Sequence, residues 1–348
     1  GSSLKVTDLS LLITEDGTNP SDKVTVTSFS FSILQTSALN GNDAIGTASC
    51  SGLPGTPSAT TNNCNPVSNT GVNTPNTILD ENPANAPTSD VDRDNNDFTL
   101  MGPGTDQFSN SDSVIYTAQL TAPGVTFTST EQIAESELQP PPTNVGDPNP
   151  ESAAANSEIQ SITGFTMTFT VDGAATNQLI LDFDADPYLR SFISDETVAD
   201  SGASMNVTFL LEKFDNEGNK IGDVAWAPDG EIVAGDCEVS DLVGITCAED
   251  NDDRHLNDQV GLTANGDNTQ DDAIGNFGIT VSGLSNTDPA DPDTGETGNY
   301  TLTLFQKVST VVNRRNEVAV PEPAALSLLG AGLFGIAGFH RRRRRNQA

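Results

Sequence analysis

The sequence predicts an all-β chain: an antiparallel β-sandwich with long polar loops, followed by a short C-terminal hydrophobic helix. Three observations predict it. Segments in which Val, Phe and Ile alternate with Thr and Ser recur along the chain, turn-forming runs separate them, and no 11-residue window of the body carries a helical apolar stripe. Strands with one polar face need a second sheet to cover the apolar face, so a two-sheet sandwich is expected.

The first strand is expected over Leu4–Ile13 and the second over Lys23–Leu34, where Val24 and Val26, then Phe29, Phe31 and Ile33, alternate with Thr and Ser. The one-residue change of phase at Thr27-Ser28 predicts a β-bulge. Further strands are expected at Ser113–Leu120, Gly124–Thr128, Ile162–Val171, Gln178–Phe183, Ser204–Phe214, Lys220–Trp226, Ile274–Val281 and Asn299–Val312. Between Phe214 and Lys220, the run Asp215-Asn216-Glu217-Gly218-Asn219 has hairpin-turn chemistry. Residues 40–112 and 129–158 have few apolar residues and read as anchored surface loops or disordered linkers. The second stretch, with Pro140-Pro141-Pro142, is a candidate divider of the 1–317 body into two halves.

The 348 residues include 15 Lys+Arg against 49 Asp+Glu, a net charge of -34. Such a surface repels phosphates, so no nucleic-acid partner is expected. Five of the cations are the run Arg341–Arg345, which leaves residues 1–320 with 10 Lys+Arg, 48 Asp+Glu and a net of -38. Gly1-Ser2-Ser3 contains no Met and no apolar leader, as expected after removal of a signal peptide or addition of three residues.

With two His and one Trp, the chain lacks the usual residues of acid/base and metal chemistry, and no enzymatic activity is expected. His255, between Arg254 and Leu256, has no nucleophile motif to serve. Four cysteines form two close pairs, Cys50 with Cys64 and Cys237 with Cys247. Three connectivities exist, of which the two local disulfides are the simplest, and the spacings do not suit zinc. Asp90, Asp92, Asp94 and Asp97 are spaced like the opening of a calcium loop, although Asn95 and Met101 stand where such a loop has Gly and Glu. Ca2+ is therefore the one cofactor to consider, against the competing reading of a solvated acidic loop. Acidic turns are also expected at Asp182–Asp186, Glu249–Asp253 and Asp267–Asp272, and the body as a whole should attract divalent cations weakly.

The most specific motif is Val320-Pro321-Glu322-Pro323, followed by 16 uncharged residues, Ala324–Phe339, then His340 and the arginines. As a helix, that segment would span about 24 Å at ~1.5 Å per residue, slightly less than a hydrocarbon core of ~30 Å. Arginines on its C-terminal side should stay cytoplasmic, with residues 1–320 across the membrane. Gly330, Gly332 and Gly335 match a dinucleotide-binding pattern by letter alone, without the strand or acidic residue it needs. The three-part arrangement over residues 318–345 resembles the PEP-CTERM sorting signal of Gram-negative bacteria. That resemblance implies export, a transient stop in the inner membrane, and processing by an exosortase, a membrane cysteine protease. Pro321, Glu322 and Pro323 would then form the recognition element, Ala324–Phe339 the membrane segment, and Arg341, Arg342, Arg343, Arg344 and Arg345 the retention cluster.

The resemblance also implies a non-enzymatic structural protein of the cell surface or extracellular matrix, with exopolysaccharide or biofilm as its setting. Two alternatives are a calcium-dependent carbohydrate-binding module and a filament subunit that self-associates through strand edges.

Overall fold

The computed structural model describes residues 1–15, 17–19, 21–39, 42–52, 72–73, 77–81, 97–100, 102, 107–117, 128–138, 155–172, 177–194, 199–232, 237–286 and 298–314. By contact the chain divides into Gly1–Arg315 and Asn316–Ala348. The expected C-terminal helix, Pro321, Glu322, Pro323 and Arg341–Arg345 lie outside the described residues, as do Asp90, Asp92, Asp94, Cys64 and the side chain of Cys50.

Two antiparallel sheets pack face to face. The first has a central run of β9 (Asn177–Ile193), β1 (Ser2–Thr14), β7 (Thr128–Glu137) and β6 (Gln107–Thr117). β16 (Gly275–Leu284) and β13 (Thr246–Asp252) extend it beyond β9, and β15 (Gly266–Asp271) also pairs with β9. At the other end, β4 (Val72–Asn73) and β5 (Thr77–Glu81) pair with β6. The second sheet runs β12 (Glu238–Ser240), β11 (Lys220–Trp226), β10 (Ala199–Phe214), β17 (Gly298–Arg314), β8 (Ala155–Val171), β2 (Val24–Leu39) and β3 (Asn42–Gly52), with β14 (Gln259–Leu262) beside β10. β1 pairs with β9 and β2 with β8, so each sheet joins strands from both sides of residues 129–158.

The expected alternation sets which side of each strand is buried. Along β10, Ala203, Met205, Val207, Phe209 and Leu211 face the interior, and along β9 Leu179, Leu181, Phe183 and Ala185 meet them from the opposite sheet. Phe183 stacks on Phe277 with ring centroids 5.1 Å apart, and Trp226 meets Phe183 edge-on at 6.2 Å. The bulge falls where the phase change placed it, between Val26 and Ser28 of β2 against β8. The hairpin turn also forms. Asp215 Oδ1 accepts the amides of Glu217 (2.9 Å) and Asn219 (2.7 Å), and Gly218 adopts φ +86, which a Cβ would resist.

Toward β6 and β7 the interior becomes polar. Ser109, Asn110, Ser111, Asp112 and Ser113 of β6 are fully buried, and side chains bridge the sheets there. Gln35 donates to Ser113 Oγ (2.9 Å), Ser161 Oγ to the Asp112 carbonyl (3.1 Å), and Ser111 Oγ to the Gln160 carbonyl (3.0 Å). Gln306 Oε1 accepts from Thr130 Oγ1, Gln132 Nε2 (3.1 Å) and Thr163 Oγ1 (3.3 Å).

This polar seam corrects several expectations. Residues 40–112 and 129–158 were expected to be loops or linkers, yet they hold β3, β4, β5, most of β7 and the start of β6. Ile133 and Ala134 of β7 are fully buried. Strand pairing uses backbone groups, and a buried Ser or Gln with a hydrogen-bond partner can occupy an interior position without apolar alternation. The acidic turns at Asp182–Asp186, Glu249–Asp253 and Asp267–Asp272 are likewise strands: β9, β13 and β15. Their carboxylates point mainly to the outer face, where alternation leaves them solvated.

The Cys237–Cys247 disulfide forms, with a Cα–Cα distance of 5.8 Å. It ties the segment entering β12, at the rim of one sheet, to β13, at the rim of the other, and both cysteines pack against the core. Replacing both with Ala should lower the unfolding free energy by about 2–3 kcal/mol, since the bridge closes a short loop. Urea denaturation of that double variant against the oxidised native chain checks this.

Candidate functional site

A cleft of about 820 Å³ opens at one end of the sandwich. Its floor follows from period-2 geometry and register. On β9, Asp182, Asp184, Asp186, Tyr188, Arg190 and Phe192 occupy alternate positions, so all six share the face turned away from the core. Across the sheet, Asp271 of β15, Tyr188 and Ser3 of β1 form one row. Asp186, Lys5 of β1 and Glu131 of β7 form the next.

Phe98, Leu100 and Gly102 make one wall of the cleft, and Val312 and Arg314, at the end of β17, line it from the second sheet. Gly102, at φ +69, donates its amide to Glu135 Oε1 (2.7 Å), which anchors that wall to β7. Arg190 grips Asp267 of β15 with Nε (3.1 Å) and Nη2 (2.9 Å), and its guanidinium stands 5.6 Å from the Phe192 ring centroid. This two-pronged hydrogen bond holds the Arg190 pKa above its usual value and the Asp267 carboxyl below the usual carboxylate range. Lys5 pairs with Glu131 at 3.4 Å. Phe192 remains 42% exposed beside that guanidinium, which leaves aromatic surface accessible.

Farther along the same face, Asp182 lies near Asp250 of β13. Burial, followed by the Asp250 charge, raises the pKa of the Asp182 carboxyl. Asp184 accepts a hydrogen bond from Asn276 Nδ2 (2.8 Å).

Sequence reasoning identified neither Tyr188, Arg190 nor Phe192. The available signal was the continuation of β9 alternation beyond Phe183 through Ile193, which the density of carboxylates disguised as a turn. Of the four aspartates proposed for calcium, only Asp97 is described. Its Oδ1 accepts the Thr99 amide (3.1 Å), and it adjoins Phe98 of the cleft wall. Among the described residues, no three His, Cys, Asp or Glu side chains group closely enough to hold a metal ion. His255 uses Nδ1 to accept the Asn257 amide (3.1 Å), which places it in the turn before β14.

A second acidic pair lies in the same part of β13, on its core-facing side. Trp226 Nε1 donates to Glu249, and the buried Asp252 accepts the Asp229 amide at Oδ2 (2.9 Å). Burial pushes the Asp252 carboxyl up to about 6 despite its amide donors, and the charges of Glu249 and Asp229 add to the rise. A raised carboxyl pKa means that the contribution to stability is complete below the unfolded value and is lost as the pH climbs through about 6. Asp252→Asn keeps an acceptor for the amide without the charge. It should therefore stabilise the protein by on the order of 1–2 kcal/mol at pH 8 and by nothing at pH 4. Thermal unfolding at both pH values checks this.

Residues 319–344 match the PEP-CTERM protein-sorting motif. The motif marks a membrane-anchored precursor that an exosortase cleaves before export to the cell surface. No curated protein matches the chain. Among solved structures, a chain of infectious bursal disease virus Gx strain is aligned at 8% identity over 96% of this chain and 87% of that one, with a TM-score of 0.13.

Proposed function

We propose, with the PEP-CTERM sorting motif as premise, that the chain is a non-enzymatic structural protein of the bacterial cell surface or extracellular matrix. In this reading its body contacts exopolysaccharide and is bridged to it by divalent cations. The observation that carries the reading is the position of the motif: β17, the last described strand, ends at Arg314, and the motif begins at residue 319. Cleavage within the motif would leave every described strand of the sandwich in the product, so processing delivers a folded body. The acidic outer row of β9, in a body with a net of -38, supports the cation-bridged part of the reading.

Truncation after residue 317 in the native host is the test. The shortened chain should be lost from the cell surface, and the native chain should co-fractionate with the exopolysaccharide and be released by a chelator. Unchanged display of the truncated chain would overturn the addressing step. Absence of the native chain from the polysaccharide fraction would overturn the matrix role.

A further inference from the structure

The cleft at the end of the sandwich is larger than a surface irregularity, since sites for small ligands run from about 300 to 1,000 Å³, and its volume of about 820 Å³ falls within that range. Its chemistry narrows the ligand. Five carboxylates against three cations line it, a balance unfavourable to anions such as phosphates or uronic acids. All three cations already have partners, with Lys5 on Glu131 and Arg190 on Asp267. An ammonium ligand fares no better, because Arg190 sits in the floor between Tyr188 and Phe192, where a second positive charge would have to rest.

What remains suited is a neutral ligand with many hydroxyl donors and flat apolar faces. Glu137, Asp186 and Asp271 supply acceptors, Arg314 supplies donors, and Tyr188 and Phe192 supply aromatic surface on one strand. Alternate residues of a strand lie about 6.6 Å apart, so Tyr188 and Phe192 are separated by about 13 Å. That distance suits sugar rings two to three units apart along a chain, and exceeds the reach of a single ring.

We propose that this cleft binds a segment of neutral oligosaccharide, with Tyr188 and Phe192 as stacking platforms and Glu137 and Asp271 accepting hydroxyl hydrogen bonds. The proposal rests on the matrix reading above and adds to its cation-bridged contact a direct one, to neutral stretches of the polymer, at one place on the body.

Calorimetry of the full chain in detergent tests it, with neutral gluco-, galacto- and manno-hexaoses, oligogalacturonate and spermine as probes. At least one neutral hexaose should bind saturably and more tightly than either charged probe. Tyr188→Ala and Phe192→Ala should each weaken that binding by about tenfold, as expected for loss of an aromatic anchor. Glu137→Gln, on β7, should weaken it by about threefold, and all three variants should keep the native unfolding midpoint. No saturable hexaose binding, tighter binding of a charged probe, or hexaose binding indifferent to the three substitutions would overturn the proposal. If the native chain and the variants alike co-fractionate with host polysaccharide while the hexaoses fail, the cleft assignment falls and the matrix reading stands. If the native chain is missing from that fraction, the matrix reading itself falls.

Discussion

Trp226→Ala should lower the unfolding free energy by about 3–5 kcal/mol, as expected for deletion of a large aromatic side chain from a packed core. Trp226 is 1% exposed, meets Phe183 edge-on, and is the largest fully buried side chain of the sandwich. Its position on β11 makes it a plug between the β10–β11 edge of one sheet and the β9–β16–β13 side of the other. Trp226→Phe separates packing from hydrogen bonding. It retains a six-membered ring and removes the smaller ring of the indole together with the N–H that Glu249 accepts, so a lesser cost of about 1–3 kcal/mol is expected. Urea denaturation of both variants measures the two terms. An Ala variant no less stable than the Phe variant would mean that the ring contributes nothing beyond its donor.

Gln306→Met should cost about 2–4 kcal/mol, because the substitution keeps the volume and removes the acceptor that three buried donors share. Those donors come from β7 in one sheet and β8 in the other, so the loss falls on the contact between sheets. Gln132→Met alone should also destabilise, since it removes a donor to both Gln306 and Thr163. Combined, the two should cost less than their sum by about 1 kcal/mol or more, since residues within one hydrogen-bond network are not additive. Strict additivity in a denaturation cycle would show that the network is a set of independent bonds.

The polar seam also explains which strands the sequence made legible. β11 was readable to the residue, Lys220–Trp226, and β2, β10, β16 and β17 to within a few residues at their ends, because each carries apolar residues on alternate positions. β6 is as thoroughly buried as any of these, but Ser109–Ser113 fill its interior with hydroxyls and an amide. Nothing in a run of five polar residues says that Ser113 meets Gln35 and Ser111 meets Gln160, strands away. β13 and β15 hid for the opposite reason. They lie at the sheet margin with mostly exposed side chains, so neither needed an apolar face to form.

The candidate cleft shows the same division at the level of a site. Asp182, Asp184 and Asp186 were noticed as carboxylates and assigned to a turn, whereas their shared face appears only once β9 is known to continue to Ile193. Tyr188, Arg190 and Phe192 then belong to the same row. The rest of the cleft, Lys5, Glu131, Asp271 and Arg314, is brought there by pairings between residues far apart in the chain.

By itself the sequence determined the properties that reside in contiguous residues: the β class from alternation, the hairpin from Asp215–Asn219, and the sorting motif, whose recognition element, apolar segment and arginines follow one another in order. Only the tertiary structure decided which strands neighbour each other, that Cys237 bridges Cys247, that the apolar interior gives way to a polar seam along β6, and where a cleft opens. The physical reason is that sheet register is set by backbone bonds between distant segments together with the packing of both sheets, and a local window of sequence contains neither.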